Sequence, residues 1–181
     1  MYKILRPMIT VLAATNRKNS RTAIVAATYF DKLKAKAEKV QLVNLADLPT
    51  DFVHPDMYAK PSQSFIDFQE KYLIPSKKFV VVIPEYNGGI SGIFKLLIDA
   101  SDITKCWYHK KAALTGVAAG RAGNLRGLDH LTNMLNYIKM DVLKNKLPIS
   151  GIGALLNEND QLVDEATLKV IDQQIEDFLA F

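Results

Sequence analysis

The sequence predicts an α/β fold: a parallel sheet sandwiched between two layers of helices. Strand-like and helix-like segments alternate along the chain at a period of about thirty residues. The segment Phe79–Pro84 (FVVVIP) is apolar throughout and rich in β-branched residues, the pattern of a strand covered on both faces. Parallel neighbours need a crossover each, and the intervening helical segments supply it.

Met8–Ala14 (MITVLAA) is a compact apolar run that ends in the polar loop Thr15–Ser20. Arg21–Ala37 follows, with Ala23, Ala26, Phe30, Leu33 and Ala37 on a helical stripe. Lys39–Leu45 alternates as a second strand. Ala46–Gln63 carries Pro49, Pro55 and Pro61 and predicts a surface excursion, and Ser64–Leu73 a short helix. After the central strand, Ser91–Ser101 is helical and apolar on several sides. Lys111–Ala118 is a strand, and Leu125–Ile138 a helix with Leu128, Leu131, Leu135 and Ile138 inward. The last strand is read at Lys139–Val142 and Leu147–Ile149, broken by Lys144–Lys146. Glu165–Leu179 closes the chain as a helix capped by Asp164.

The 181 residues predict one domain, residues 1–181, with a sizeable core. A hydrophobic fraction of 49% and a charged fraction of 23% argue against disorder. No apolar run reaches the length of a membrane span, and no apolar leader is evident. The net charge of +4 suits a small anionic ligand, and no basic block calls for nucleic acid. Cys106 is the single cysteine, which excludes an intrachain disulfide and makes a reducing cytoplasm the simplest compartment. His54, His109 and His130 have no metal-ligand spacing, so no metal site is expected.

In an open parallel sheet, ligands bind outside the carboxyl ends of the strands, where the strand order reverses. That rule selects the loops Thr15–Ser20, Glu85–Ser91 and Ala119–Asn124. The first joins hydroxyls of Thr15, Ser20 and Thr22 to the cation of Arg17 at the start of a helix, an arrangement suited to a phosphate. A solvated loop with Ser20 as helix cap is the alternative. No G-x-G-x-x-G or P-loop pattern is present, which disfavours a dinucleotide turn and excludes P-loop NTP hydrolysis. The second loop, Glu85-Tyr86-Asn87-Gly88-Gly89-Ile90-Ser91, follows the most apolar strand. Its glycines permit close approach to a flat ligand, or merely a tight connection. It narrowly misses the G-x-S-x-G spacing of a serine hydrolase.

Pro84-Glu85-Tyr86-Asn87-Gly88, followed by Gly92-Ile93-Phe94-Lys95-Leu96-Leu97-Ile98-Asp99-Ala100-Ser101, resembles the signature of the NADPH-dependent FMN reductase family. The first loop resembles that family's G-S-x-R-x-x-S, with Ala14 and Thr15 in place of Gly and Ser and with Arg17 and Ser20 matching. Gly123-Asn124 stands where the family usually has Gly-Gly. The resemblance implies a flavodoxin-like three-layer sandwich with a five-stranded parallel sheet of order 2-1-3-4-5. It implies FMN as cofactor and NADPH or NADH as co-substrate, with no protein acid or base assigned as catalytic. The FMN phosphate would lie on Thr15, Arg17, Ser20 and Thr22, with Arg21 in the same set. The isoalloxazine would lie against Pro84, Glu85, Tyr86, Asn87 and Gly88, and Ala119, Gly120 and Arg121 would border its pyrimidine side. Arg121 and Arg126 are candidates for the 2′-phosphate of NADPH.

The acceptor implied is a small molecule: a quinone, azo compound, flavin or metal oxyanion. The family also implies a homodimer or homotetramer, for which the many-sided apolar helix Ser91–Ser101 and the cluster Cys106-Trp107-Tyr108-His109 are the expected interface, unless both pack within the chain. A flavodoxin-type electron carrier and a flavin-binding regulatory domain without turnover are the alternative functions. Arg17, Lys18 and the positive net charge weigh against the carrier.

Overall fold

The computed structural model describes residues 7–181; the six residues before Pro7, part of the segment read for a leader, lie outside it. The strands are β1 (Met8–Ala13), β2 (Val40–Asn44), β3 (Ser76–Pro84), β4 (Lys111–Val117), β5 (Asp141–Val142) and β6 (Leu147–Ile149). The helices are α1 (Arg21–Lys34), α2 (Gln63–Phe68), α3 (Gly92–Ala100), α4 (Ile103–Cys106), α5 (Leu125–Tyr137) and α6 (Glu165–Ala180). All strand pairs are parallel, in the order β2-β1-β3-β4-β5. β6 also pairs with β4, so the fifth place in the sheet is shared by two short strands, with the Lys144–Lys146 stretch between them.

β3 shows why the central run is apolar throughout. Phe79, Val81 and Ile83 face one core, with Phe94, Leu97, Trp107, Leu128 and Leu131. Val80 and Val82 face the other, with Tyr29, Leu33, Ile171, Ile175 and Phe178. Alternate residues point to opposite faces, so only an uninterrupted apolar strand satisfies both layers. The buried stripe of α1 is Thr22, Val25, Ala26, Tyr29 and Leu33; Ala23 and Phe30 sit at its partly buried edge, one helical step from the predicted centre, and Ala37 lies past the end of the helix at Lys34. On that face α6 docks through a buried polar link. Tyr29 Oη donates to Gln174 Oε1 at 2.5 Å and lies 2.8 Å from Thr115 Oγ1, while Gln174 Nε2 donates to the carbonyls of Leu114 and Asn145.

The helix predicted over Ser64–Leu73 is two pieces, since α2 passes into a π-helical turn over Gln69–Leu73. The widened turn brings Gln69 under α4, where its Oε1 accepts from Asp102 N–H at 2.7 Å. In the helix expected at an interface, α3, Phe94, Leu97, Ile98 and Ala100 pack inside the chain, and of its apolar side chains Ile93 and Leu96 stay partly exposed. Trp107 is also internal, donating from Nε1 to Ser101 Oγ at 2.7 Å and packing on Phe79 and Phe94. Among the described residues no helix is long and apolar enough to cross a membrane.

Lys110 and Cys106 are buried next to this layer, and Lys110 Nζ donates to the carbonyls of Leu73 and Ile74 at 2.8 and 3.1 Å. Burial pulls the Lys110 ammonium down to about 8 and pushes the Cys106 thiol up to about 12. An unfolded lysine keeps its proton to about pH 10.4, so from about pH 8 upward the unfolded chain binds the extra proton and rising pH stabilises the fold. An unfolded thiol loses its proton near about 8.5, so above that pH the folded chain binds the extra proton and Cys106 acts in the opposite sense. Urea titrations between pH 7.5 and 10 are therefore expected to show a rising midpoint in Cys106→Ala and a falling one in Lys110→Met. Identical pH slopes in the two variants would contradict the assignment.

Candidate active site

Three loops leave the carboxyl ends of β1, β3 and β4 side by side. The first is fixed at its base: Ala14 N–H donates to the carbonyl of Val82 at 2.8 Å, and Ser91 Oγ donates to the carbonyl of Ala14 at 2.5 Å. Thr15 is fully buried; its Oγ1 accepts from Arg17 N–H at 3.2 Å and lies 2.7 Å from Tyr86 Oη. With Tyr86 as donor, the Thr15 proton stays free for an anion. Ser20 caps α1, its Oγ accepting from Ala23 N–H at 3.2 Å, which likewise leaves the hydroxyl proton available. The N–H groups of Arg21 and Thr22 open the helix and have no acceptor within it. The Arg17 side chain makes no ion pair among the described residues.

The second loop is a two-residue hairpin. Asn87 and Gly88 both have positive φ, 53° and 74°, and Tyr86 and Gly89 exchange backbone hydrogen bonds of 3.0 Å. That is the geometry an Asn-Gly pair specifies, and it folds the backbone into a flat, narrow turn. Glu85 N–H donates to the carbonyl of Val117 at 3.0 Å.

The third loop is stapled to the segment after β6. Gly151 N–H donates to the carbonyl of Gly120 at 3.1 Å, and Ser150 Oγ donates to the carbonyl of Arg121 at 2.7 Å. Asn124, wholly buried at φ 66°, ties this loop to the second: its N–H donates to Glu85 Oε2 at 3.2 Å and its Nδ2 to the carbonyl of Ile83 at 3.1 Å. Asparagine enters the left-handed region more readily than most residues with a β-carbon, so Gly123-Asn124 can hold this turn where the family usually has Gly-Gly. Asn124 Oδ1 is buried without a partner and presses on Gly127, where a β-carbon would stand 2.1 Å from it.

Between the loops lies a cleft of about 430 Å3, a size that suits a small-molecule ligand. Of the sequence-predicted residues, Arg17, Ser20, Arg21, Thr22, Pro84, Glu85, Tyr86 and Ala119 line it. Thr15 lies beneath, joined through Tyr86, and Asn87 and Gly88 form the tip of the hairpin above. Gly120 and Arg121 belong to the third loop's rim and do not line the cleft. Asn19, Val117, Ala118 and Ile152 line it without having been expected. Ile152 comes from the segment after β6, which the strand-end rule also covers; the broken last strand concealed it.

Residues 7–153 match the family model described as NADPH-dependent FMN reductase. The chain belongs to that family. It is accordingly an oxidoreductase of the NAD(P)H-dependent FMN reductase type. An NAD(P)H-dependent FMN reductase of Pseudomonas aeruginosa is 24% identical over 140 residues, covering 76% of this chain and 75% of the relative. Among solved structures, a flavoenzyme NAD(P)H:(acceptor) oxidoreductase from Paracoccus denitrificans superposes with a TM-score of 0.79 at 19% identity over 96% of both chains. An archaeal flavodoxin superposes with a TM-score of 0.62 at 13% identity, also over 96% of both chains. The fold is thus flavodoxin-like. The residues present fit an FMN reductase's cofactor: an unpaired guanidinium and a free helix N-terminus stand at one end of the cleft, and a flat backbone turn at the other.

Proposed function

We propose that this FMN reductase holds one FMN in the cleft, takes hydride from NADPH or NADH, and delivers electrons to a small acceptor, be it a quinone, azo compound, free flavin or metal oxyanion. The observation that carries the reading is the convergence of the Arg17 loop, the α1 N-terminus and the Tyr86–Gly89 hairpin on one cleft. Bound FMN supplies the redox chemistry. Arg17, the Ser20 hydroxyl and the first N–H groups of α1 would hold its phosphate. Pro84, Glu85 and the Tyr86–Gly88 backbone would bound the ring, with the Thr15–Tyr86 hydrogen bond keeping the two ends in register. No side chain is assigned as an acid or base. The reading takes the protein to be cytoplasmic, on the single buried Cys106. It also takes it to be a homodimer or homotetramer, for which partly exposed Ile90, Ile93 and Leu96 remain as contact residues.

Purified protein is expected to be yellow or to take up FMN at micromolar concentration, and acid-released flavin should co-elute with FMN. Anaerobic addition of NADPH or NADH should bleach the flavin band within seconds. Donor and acceptor would share one open ring face, so double-reciprocal plots should give parallel lines. Released FAD, or no uptake, overturns the reading. Flavin that stays oxidised under excess of both nucleotides points to an electron carrier or a binding domain, and intersecting lines refute the shared face.

A further inference from the structure

Helix α1 begins on a cation. Arg21 is its first residue, and its first turn holds no acidic side chain, whereas α6 begins with the Asp164 cap and Glu165. The start of a helix carries partial positive charge, so a cation is misplaced there unless an anion joins it. Among the described residues no carboxylate pairs with Arg21. The side chain is exposed, and it lines the cleft together with Arg17 and Ser20.

What the side chain rests on comes from the other end of the chain. The three atoms nearest to where a β-carbon of Gly153 would stand all belong to the Arg21 guanidinium: Nη1 at 3.0 Å, Cζ at 3.3 Å and Nη2 at 3.4 Å. Gly153 lies in the short 3-10 turn Ile152–Leu155 that follows β6. It lacks the positive φ of nearby Gly151, so the space taken by Arg21, and not the backbone, calls for glycine here. The turn is itself fixed. Gly151 N–H donates to the carbonyl of Gly120 and Ile152 N–H to that of Ala118, both at 3.1 Å, and Ile152 is buried in the cleft wall. The near-equal distances lay the guanidinium over this backbone, and its N–H groups stay open to an anion.

We infer that Gly153 is a positioning residue for the anion at this end of the cleft: its bare backbone seats the Arg21 guanidinium, and through that seat the segment after β6 sets how tightly the cofactor's phosphate is held. This rests on the functional reading above, which puts the FMN phosphate at the start of α1. Any side chain at Gly153 would push the guanidinium off its seat, while the ring end of the cleft would be untouched.

The test is a cycle of wild type, Gly153→Val, Arg21→Gln and the double variant, each freed of flavin and titrated with FMN and with riboflavin. Gly153→Val is expected to weaken FMN about tenfold and to leave riboflavin unchanged. Arg21→Gln should weaken FMN about tenfold or more, and the double variant should match it, because an empty seat has nothing to displace. Gly153→Ala, around which the guanidinium needs to shift least, should fall between wild type and the valine variant, and it carries the test should valine disturb the turn. Unchanged FMN affinity in the Gly153 variants, equal losses for FMN and riboflavin, or losses that add in the double variant each overturn the seat. A wild-type chain that takes up no FMN overturns the functional reading instead. The seat is then decided by inorganic phosphate, which should raise the thermal midpoint of the flavin-free wild type above that in chloride of equal ionic strength. That rise should vanish alike in Gly153→Val and Arg21→Gln; a rise retained in Gly153→Val, or absent from wild type, overturns the seat.

Discussion

Replacing Arg17 by alanine is expected to weaken FMN binding about 10- to 150-fold and to leave riboflavin binding unchanged. A hydrogen bond to a charged group is worth about 1.5–3 kcal/mol, which converts to that range in affinity. The side chain has no competing carboxylate among the described residues, so its whole donor capacity is open to a phosphate. Its backbone N–H is separately engaged by Thr15 Oγ1, so the loop keeps its shape when the side chain is removed. Flavin fluorescence titration measures both ligands. Riboflavin lacks the phosphate, and an equal loss for it would show that Arg17 supports the loop and does not contact the anion.

Gly127→Ala is expected to destabilise the fold by about 1–3 kcal/mol, the ordinary cost of overpacking, although alanine is the better helix former by about 1 kcal/mol. The new methyl would stand 2.1 Å from Asn124 Oδ1, and Asn124 is pinned by its bonds to Ile83 and Glu85. The same substitution in an Asn124→Gly background should be neutral or stabilising by up to about 1 kcal/mol, because the clashing amide is gone and glycine accepts φ 66°. Urea midpoints of the four proteins in this cycle give the coupling. A destabilisation of the same size in both backgrounds would mean that Asn124 and Gly127 do not meet. Loss of FMN uptake in Gly127→Ala, restored in the double variant, would further tie Glu85 and the second loop to this contact.

The architecture was legible because it rests on periodicity. An apolar run without alternation, Phe79–Pro84, is forced into the middle of a sheet covered twice, and its residues alternate between two cores. The place of the cleft was legible too: the strand-end rule pointed to three loops, and these together with the residues the family resemblance implied include eight that line the cleft. Helix α3 admits two readings for a physical reason. Apolar residues on several sides of a helix record that the helix is surrounded, and a neighbouring subunit and the chain's own α4 and excursion loop leave the same pattern. Phe94 against Trp107 shows that the chain itself supplies the cover.

By itself, the sequence determined the doubly wound fold and the three loops at its strand ends, since each follows from local pattern. The tertiary structure alone decided what depends on residues far apart in the chain. It joined Thr15 to Tyr86, set Asn124 on Gly127 and Glu85, brought Ile152 into the wall, and laid Arg126 on Gly88. Backbone preferences act over a few residues, but these contacts exist only once parallel strands bring their ends to one edge, and nothing in the local pattern of either partner encodes them.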